Sequence, residues 1–405
     1  MPEPPPPTEP WYEAVQLRAF ADAYANVNWG FPKPSSYSPP TRHFDGAQGL
    51  NLSWVGLDAA YAPEPVGGAV SLRFGPSAER EARSDADAGL QNLKQAFVAW
   101  RPGSGSVTLE FGKFDSFVGA EVAESQDNPT YTRGLLWTFA QPHFHTGLRA
   151  SFELLPELTL AAMVVNGWDR SVDNNVGKTF GLGLRVNPSD AFSASLAYIG
   201  GPEQTDTTEV SCAAGTAYDP AQGTCAQQAG APAQTQVVDR GGANDFDAFR
   251  HLIDLTLSLE PTESLSLVLN ADYGVEGVRP VDTSIEATTV TQKWYGASLV
   301  GRMQLNETWA VALRGEYFKD ADGRVFEYPL PGTTAEEGKV LDDVELASGT
   351  LTVEARPTEN LILRLENRGD FALGASPDKN IFREKVRDTS DKAFTTTLGV
   401  VVTTN

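Results

Sequence analysis

The chain has 405 residues, a formal net charge of −22 and a pI near 4.6, and so acidic an exterior repels phosphate, which argues against a nucleic-acid partner. No run approaches the ~18 consecutive apolar residues needed to cross a membrane as a helix, so a helical membrane protein is excluded. The length suits about two or three ordinary domains or one large closed barrel.

The chain opens on MPEPPPPTEPW, and residues 1–12 read as a Pro-rich, extended, solvated stub. It has neither a charged n-region nor an apolar h-region, so either the protein is cytosolic or a secretory signal has been removed; the barrel reading below favours removal. From residue 13 to 405 helical periodicity is nearly absent, and short runs of period two recur. The clearest are VQLRAFADAYANVNW (15–29), HTGLRASFEL (145–154), SLSLVLNADY (264–273), TWAVALRGEYF (308–318) and LILRLENRGDF (361–371). About sixteen such segments are present, separated by seven tight, turn-rich connections that alternate with eight long polar ones. Sixteen antiparallel strands with both termini on the short-turn side predict a single all-β transmembrane barrel, with short periplasmic turns and long extracellular loops.

The faces of the strands support that reading. In 361–371, Leu361, Leu363 and Leu365 share one face, and Arg364, Glu366, Arg368 and Asp370 the other. On the apolar faces, Trp29, Phe74, Phe111, Tyr198, Tyr273, Tyr317 and Phe371 fall toward the long-loop end, while Trp100, Phe192 and Trp309 fall at the short-turn end. Two aromatic bands around an aliphatic belt suit the two interfaces of a bilayer, whereas a soluble core has no reason to sort its rings by height.

The polar faces would then line the lumen. They carry Arg18, Arg73, Arg149, Arg185, Arg250, Arg302, Arg314, Arg364 and Arg368, with Asp22, Glu110, Glu153, Asp254, Asp272, Glu316, Glu366 and Asp370. Sixteen strands enclose more space than side chains fill, so these charges are expected to be hydrated, paired and pore-lining. The only cysteines, Cys212 and Cys225, lie in one Gly/Ala/Gln/Thr-rich loop at 202–248 and predict a local disulfide made in an oxidising compartment.

Several phrases resemble one family. GKFDSFVGAEVAESQDNPTYTRGLLWTFAQPHFHTGLRASF, VVNGWDRSVDNNVGKTFG, YIGGPE and FRHLIDL are similar to the OmpL-like outer-membrane β-barrel porin family (the beta-barrel porin-2 type), over residues 12–275. The final GVVVTTN departs from the terminal aromatic common on outer-membrane strands. The resemblance implies an integral channel-type barrel in a Gram-negative outer membrane, surrounded by lipid and lipopolysaccharide. Its function would be passive diffusion of small hydrophilic solutes or ions, without a cofactor. A homo-oligomer accords with the resemblance, although nothing in the sequence marks a self-association face. The alternative is a non-conducting barrel that binds surfaces through its long loops.

The segment 115–144, the third long loop, is the expected constriction. Its GLLWTFAQPHF half is too apolar for free solution and should pack on the barrel wall, projecting Glu121, Glu124 and Asp127, with Arg133, into the pore opposite Arg18, Arg314, Arg364 or Arg368. Enzymatic chemistry is not expected. Only His43, His143, His145 and His251 could serve as imidazole bases, and no GxSxG elbow is present. His143 and His145, in HFH, lack a third ligand in the sequence around them, so no metal site is predicted there. The acidic stretch 239–247 misses the EF-hand spacing and reads as a solvated loop rather than a calcium site.

Overall fold

The computed structural model describes residues 11–34, 37–103, 105–219, 224–239, 245–278, 290–326, 343–374, 380–385 and 389–404. The first nine strands are β1 (Val15–Asn28), β2 (Gly49–Tyr61), β3 (Val66–Phe74), β4 (Leu93–Trp100), β5 (Val107–Asp115), β6 (Phe144–Leu155), β7 (Leu158–Val165), β8 (Thr179–Ser189) and β9 (Phe192–Pro202). Four short strands follow, β10 (Thr207–Cys212), β11 (Thr216–Asp219), β12 (Thr224–Gln227) and β13 (Gln234–Asp239). The last seven are β14 (Phe249–Thr262), β15 (Leu265–Val278), β16 (Val290–Gln304), β17 (Trp309–Asp320), β18 (Val344–Thr358), β19 (Leu361–Ala372) and β20 (Lys392–Thr403).

Strands β1–β9 and β14–β20 form one closed antiparallel barrel of sixteen strands, each paired with its neighbour in sequence order. The barrel closes where β1 pairs with β20, from Phe20 opposite Thr403 to Asn28 opposite Thr395. Closure leaves no unpaired sheet edge, a condition for any sheet that crosses hydrocarbon. No helix among the described residues is long and apolar enough to cross a membrane.

Alternation sets the two faces. Along β19, Leu365 is 47% exposed on the outer face, while Arg364, Glu366, Arg368 and Asp370 are buried on the inner one. The aromatic rings sort as their sequence positions suggest. Trp29, Phe74, Phe111, Tyr198 and Tyr273 are exposed on the outer wall, as are Trp100, Phe192 and Trp309. Seven connections of two to six residues alternate with eight long ones. The long loops are L1 (29–48), L2 (75–92), L3 (116–143), L4 (166–178), L5 (203–248), L6 (279–289), L7 (321–343) and L8 (373–391). L2 contains helix α1 (Pro76–Glu81) and L3 contains helix α2 (Leu135–Phe139).

L5 differs from the unstructured loop that its composition suggests. Strands β10 and β13 pair as one two-stranded sheet, and β11 and β12 as another. The Cys212–Cys225 disulfide joins the end of β10 to β12, with a Cα–Cα separation of 5.6 Å, and so ties the two sheets together. The polar alternation of Thr, Glu, Gln and Ser with valines in these strands offers no continuous apolar face, which hides them from a periodicity reading. Most of the Pro-rich stub and the centre of 239–247 lie outside the described residues.

The alternation of loop lengths gives a testable orientation. The chain has no free cysteine, so a single introduced thiol is a unique label. In intact cells Asp87→Cys, on exposed L2, should react with a membrane-impermeant maleimide, and Thr358→Cys, at a short turn, should react only after the outer membrane is permeabilised. The reverse pattern would invert the topology.

Candidate functional site: the lumen and the loop that crosses it

L3 leaves the wall at β5, crosses the lumen and returns at β6. The opposite wall binds it with charged side chains on backbone groups. Arg364 Nη1 donates to the carbonyls of Ser125 and, at 3.1 Å, Thr130. Arg368 Nη1 donates to the Arg133 carbonyl at 2.6 Å, and Arg314 Nη1 to the Thr132 carbonyl at 2.6 Å. Glu366 accepts the Tyr131 N–H at 2.6 Å and the Thr132 N–H at 3.2 Å. Asp22, on β1, accepts Ser125 Oγ at 2.6 Å and the Tyr131 hydroxyl at 2.7 Å. An irregular segment supplies only some of its own backbone partners, as where Asn128 bonds Val122 and Glu124, and a buried N–H or C=O left unpaired is costly. The wall supplies the rest named above.

The acids of L3 meet wall cations. Glu121 Oε1 lies 2.7 Å from Arg314 Nη1, and Asp127 pairs bidentately with Arg18 at 2.8 and 2.9 Å. Glu124 accepts from Arg73 Nη2 at 2.7 Å and Lys94 Nζ at 2.9 Å. Arg133 turns the other way, pairing with Asp45 of L1 and placing its guanidinium 4.4 Å from the Phe44 ring centroid. It is buried and presents no charge to open space. Two carboxylates close the start of α2, where Glu121 accepts the Gly134 N–H and Glu316 the Leu135 N–H, each at 2.7 Å. A Cβ at Gly134 would fall 2.1 Å from Glu316 Oε1, so only glycine allows this double grip.

The apolar half of L3 packs inside the barrel. Leu135 and Leu136 join Trp294, Phe318, Leu346 and Phe382, and Tyr131 and Trp137 join Phe20, Tyr24, Phe44 and Trp54. Tyr131 lies against Gly399, where any Cβ would collide with its ring. These inward aromatics occupy faces that read as polar in the sequence.

The hydrated wall expected from the sequence is therefore largely covered. Asp22, Arg73, Asp254, Asp272, Arg314, Glu316, Arg364, Glu366, Arg368 and Asp370 all face inward and are buried. The reason is the same throughout: a loop segment packs over each group and supplies it with a partner. Gln141 of L3, for example, donates to Asn270 and Asp272, each at 2.7 Å. Most of the other lumen charges pair with side chains of the wall or its turns. Arg149 meets Glu110 at 2.6 Å, Arg250 meets Glu276 at 2.9 Å, Arg302 meets Glu354 at 2.8 Å, and Glu153 faces Arg101 at 3.8 Å. Arg185 is exposed and reaches Asn187 at 3.3 Å.

On the short-turn side L3 leaves two vestibules. One, of about 1000 Å³, is lined by Arg18, Arg73, Lys94 and Arg356 and by Asp58, Asp115, Glu124, Asp127 and Glu359. The other, of about 430 Å³, is bounded by Phe117, Glu121 and Arg185 and the lower halves of β7–β9, β14 and β15. Val122 borders both.

The histidines separate. His145 is buried, with Nδ1 at 2.9 Å from the Gly167 carbonyl and Nε2 at 3.1 Å from Ser116 Oγ. His143 instead meets Glu81 of L2, whose Oε2 also faces His43 of L1. Burial opposes charge on this pair. Even so, the facing imidazoles hold the Glu81 carboxyl well below the usual carboxylate range, and Glu81 with Asp169 pushes His143 up to about 9. His251 sits on the outer side against the Tyr198 hydroxyl at 2.8 Å.

Comparison with known proteins follows the fold. The profile of the family described as "Putative beta-barrel porin-2, OmpL-like" matches residues 14–403, beyond the 12–275 span of the sequence resemblance. No curated protein matches. Among solved structures, OprB of Pseudomonas putida at high pH is 12% identical with a TM-score of 0.56, covering 97% of this chain and 94% of its own. OmpT of Vibrio cholerae in its trimer form is 12% identical with a TM-score of 0.54, covering 96% and 99%. The anion-selective porin from Comamonas acidovorans is 12% identical with a TM-score of 0.52, covering 96% and 99%. At these identities the likeness is one of fold.

The grip on L3 can be tested at Arg314, whose side chain is fully buried. Arg314→Met leaves Glu121, Glu316 and the Thr132 carbonyl without their cation, a loss on the order of 3–5 kcal/mol for a broken buried network. Hydrogen exchange should show lost protection across 116–143 with β7–β9 unchanged. Unaltered L3 protection would show that Arg314 does not hold the loop.

Proposed function

The chain belongs to the family described as "Putative beta-barrel porin-2, OmpL-like", and on that premise we propose that it is an outer-membrane porin for passive diffusion of small hydrophilic solutes or ions, with L3 as its constriction. The observation that carries this reading is L3 itself, strapped across the lumen by Arg314, Arg364 and Arg368. Glu121, Glu124 and Asp127 are the acids on this strap that face the vestibules. A sixteen-strand lumen is too wide for wall side chains alone to fill, so the segment lying across it sets both bore and local charge. Arg133, buried against Asp45, would act by fixing L3 rather than by meeting the solute. No catalytic role is assigned.

Charge in the larger vestibule is nearly balanced, four basic groups against five acidic ones, which favours a weak preference for cations. Replacing Glu121, Glu124 and Asp127 with the amides leaves that vestibule with four basic groups and three acidic ones and removes the acid that lines the smaller one together with Arg185. In planar bilayers under a KCl gradient the wild type should conduct with weak cation preference, and the triple variant should shift its reversal potential toward anions, most at low salt where screening is weak. Conduction with unchanged selectivity would remove these acids from the constriction.

A second reading rests on a separate observation. The double hairpin of L5, clamped by Cys212–Cys225, is a more ordered display than diffusion requires, and suits a non-conducting barrel that binds surfaces. Absence of any channel activity in the folded wild type would favour this reading over the porin.

A further inference from the structure

We propose that His43, Glu81 and His143 form a binding site for one divalent transition-metal ion of the zinc class, which fastens L1, L2 and L3 to one another. The three side chains come from three different loops and converge with their ligand atoms all within 4.8 Å. Glu81 Oε2 lies 3.2 Å from His43 Nε2 and 3.3 Å from His143 Nδ1. Ligands placed about 2.0–2.1 Å from a tetrahedral zinc ion are separated from one another by about 3.3 Å, so two edges of such a site already have their length.

His43 Nε2 and Glu81 Oε2 are buried atoms that make no hydrogen bond, although they are close to each other. Glu81 Oε2 is paired electrostatically with both imidazoles, and an ion at the shared point would engage all three atoms. His143 is fixed from behind. Its Nε2 lies 2.7 Å from the Trp137 carbonyl, to which it donates, and this sets Nδ1 as the electron-pair donor. Metal-bound imidazoles are commonly held by that kind of outer hydrogen bond. The His143 ring also stacks on Trp137 at 3.8 Å and 7°, and His43 meets Trp137 edge-on at 5.0 Å. These contacts restrict rotation of both rings.

The donor set narrows the metal. Two imidazoles and one carboxylate suit zinc and its first-row neighbours, whereas calcium and magnesium prefer oxygen throughout. Three protein ligands leave a fourth position. A cavity of about 30 Å³ lined by Glu81, Trp137, Pro142 and His143 adjoins the site, which is room for a single water. Of the four histidines in the chain, the other two are turned to other tasks, His145 to Gly167 and Ser116 and His251 to Tyr198.

The test uses the full chain, purified in detergent without a polyhistidine tag and stripped with EDTA. Titration with Co²⁺ should saturate at one ion per chain with the intense visible absorption of a four-coordinate site, and Zn²⁺ should displace it. Glu81→Gln and His143→Gln should each weaken Zn²⁺ binding by at least about 10-fold, and His251→Gln should leave it unchanged. Because His143 is packed against Trp137, His43→Gln serves as the second ligand variant, with barrel folding checked by heat-modifiable gel mobility. No saturable Zn²⁺ or Co²⁺ binding, or equal binding by wild type, Glu81→Gln and His43→Gln, would overturn the site and leave the cluster as an ion pair only.

Discussion

The structure depends on how buried backbone is satisfied inside a barrel too wide for its own side chains. A sixteen-strand wall encloses a space that must hold water or chain. Here much of it holds chain, and the chain is irregular, so its N–H and C=O groups need external partners. Arg314, Arg364, Arg368 and Glu366, set on β17 and β19, provide them. The same arginines would be costly in so dry a position without those partners. Wall and loop each supply what the other lacks, and removing either leaves buried charge or buried backbone unmatched.

Secondary layers of packing build on this frame. Once the polar half of L3 is gripped by the wall, its apolar half lies against rings that point inward, with Trp294 and Phe318 on one side and Phe20 and Trp54 on the other. L1 then folds down over both, where Asp45 takes Arg133 and Thr41 donates to Asp370 at 3.0 Å. The interior toward the long-loop end therefore has a core of its own, and the open volume lies toward the short turns.

Much of the wall was legible in the sequence because its signals are local. Period-two alternation, turn residues and aromatic height depend on neighbours a few residues apart, and they assign Arg364, Glu366, Arg368 and Asp370 to one inward face of β19. Pairings across the lumen are different, because nothing near residue 130 signals that Tyr131 and Thr132 will give their N–H groups to Glu366. The burial of the wall charges was missed for this reason, since hydration is the correct default for a charge whose partner is unknown. Phe20 and Trp294 were missed because a face carrying charges was taken as polar throughout. His143 looked isolated in HFH because Glu81 and His43 reach it from other loops.

The seam between β1 and β20 has a further consequence, for the order in which the molecule can form. The hydrogen bonds from L3 to Glu366 join residues 234 and 235 positions apart in sequence, and their acceptor lies in the penultimate strand. Early strands can zip as hairpins with little loop-closure entropy, but L3 has no satisfied place until β17–β19 have curved round to face it. Filling of the lumen therefore waits on strands near the end of the chain. The strand that satisfies these groups, β19, lies directly beside β20, whose pairing with β1 closes the barrel.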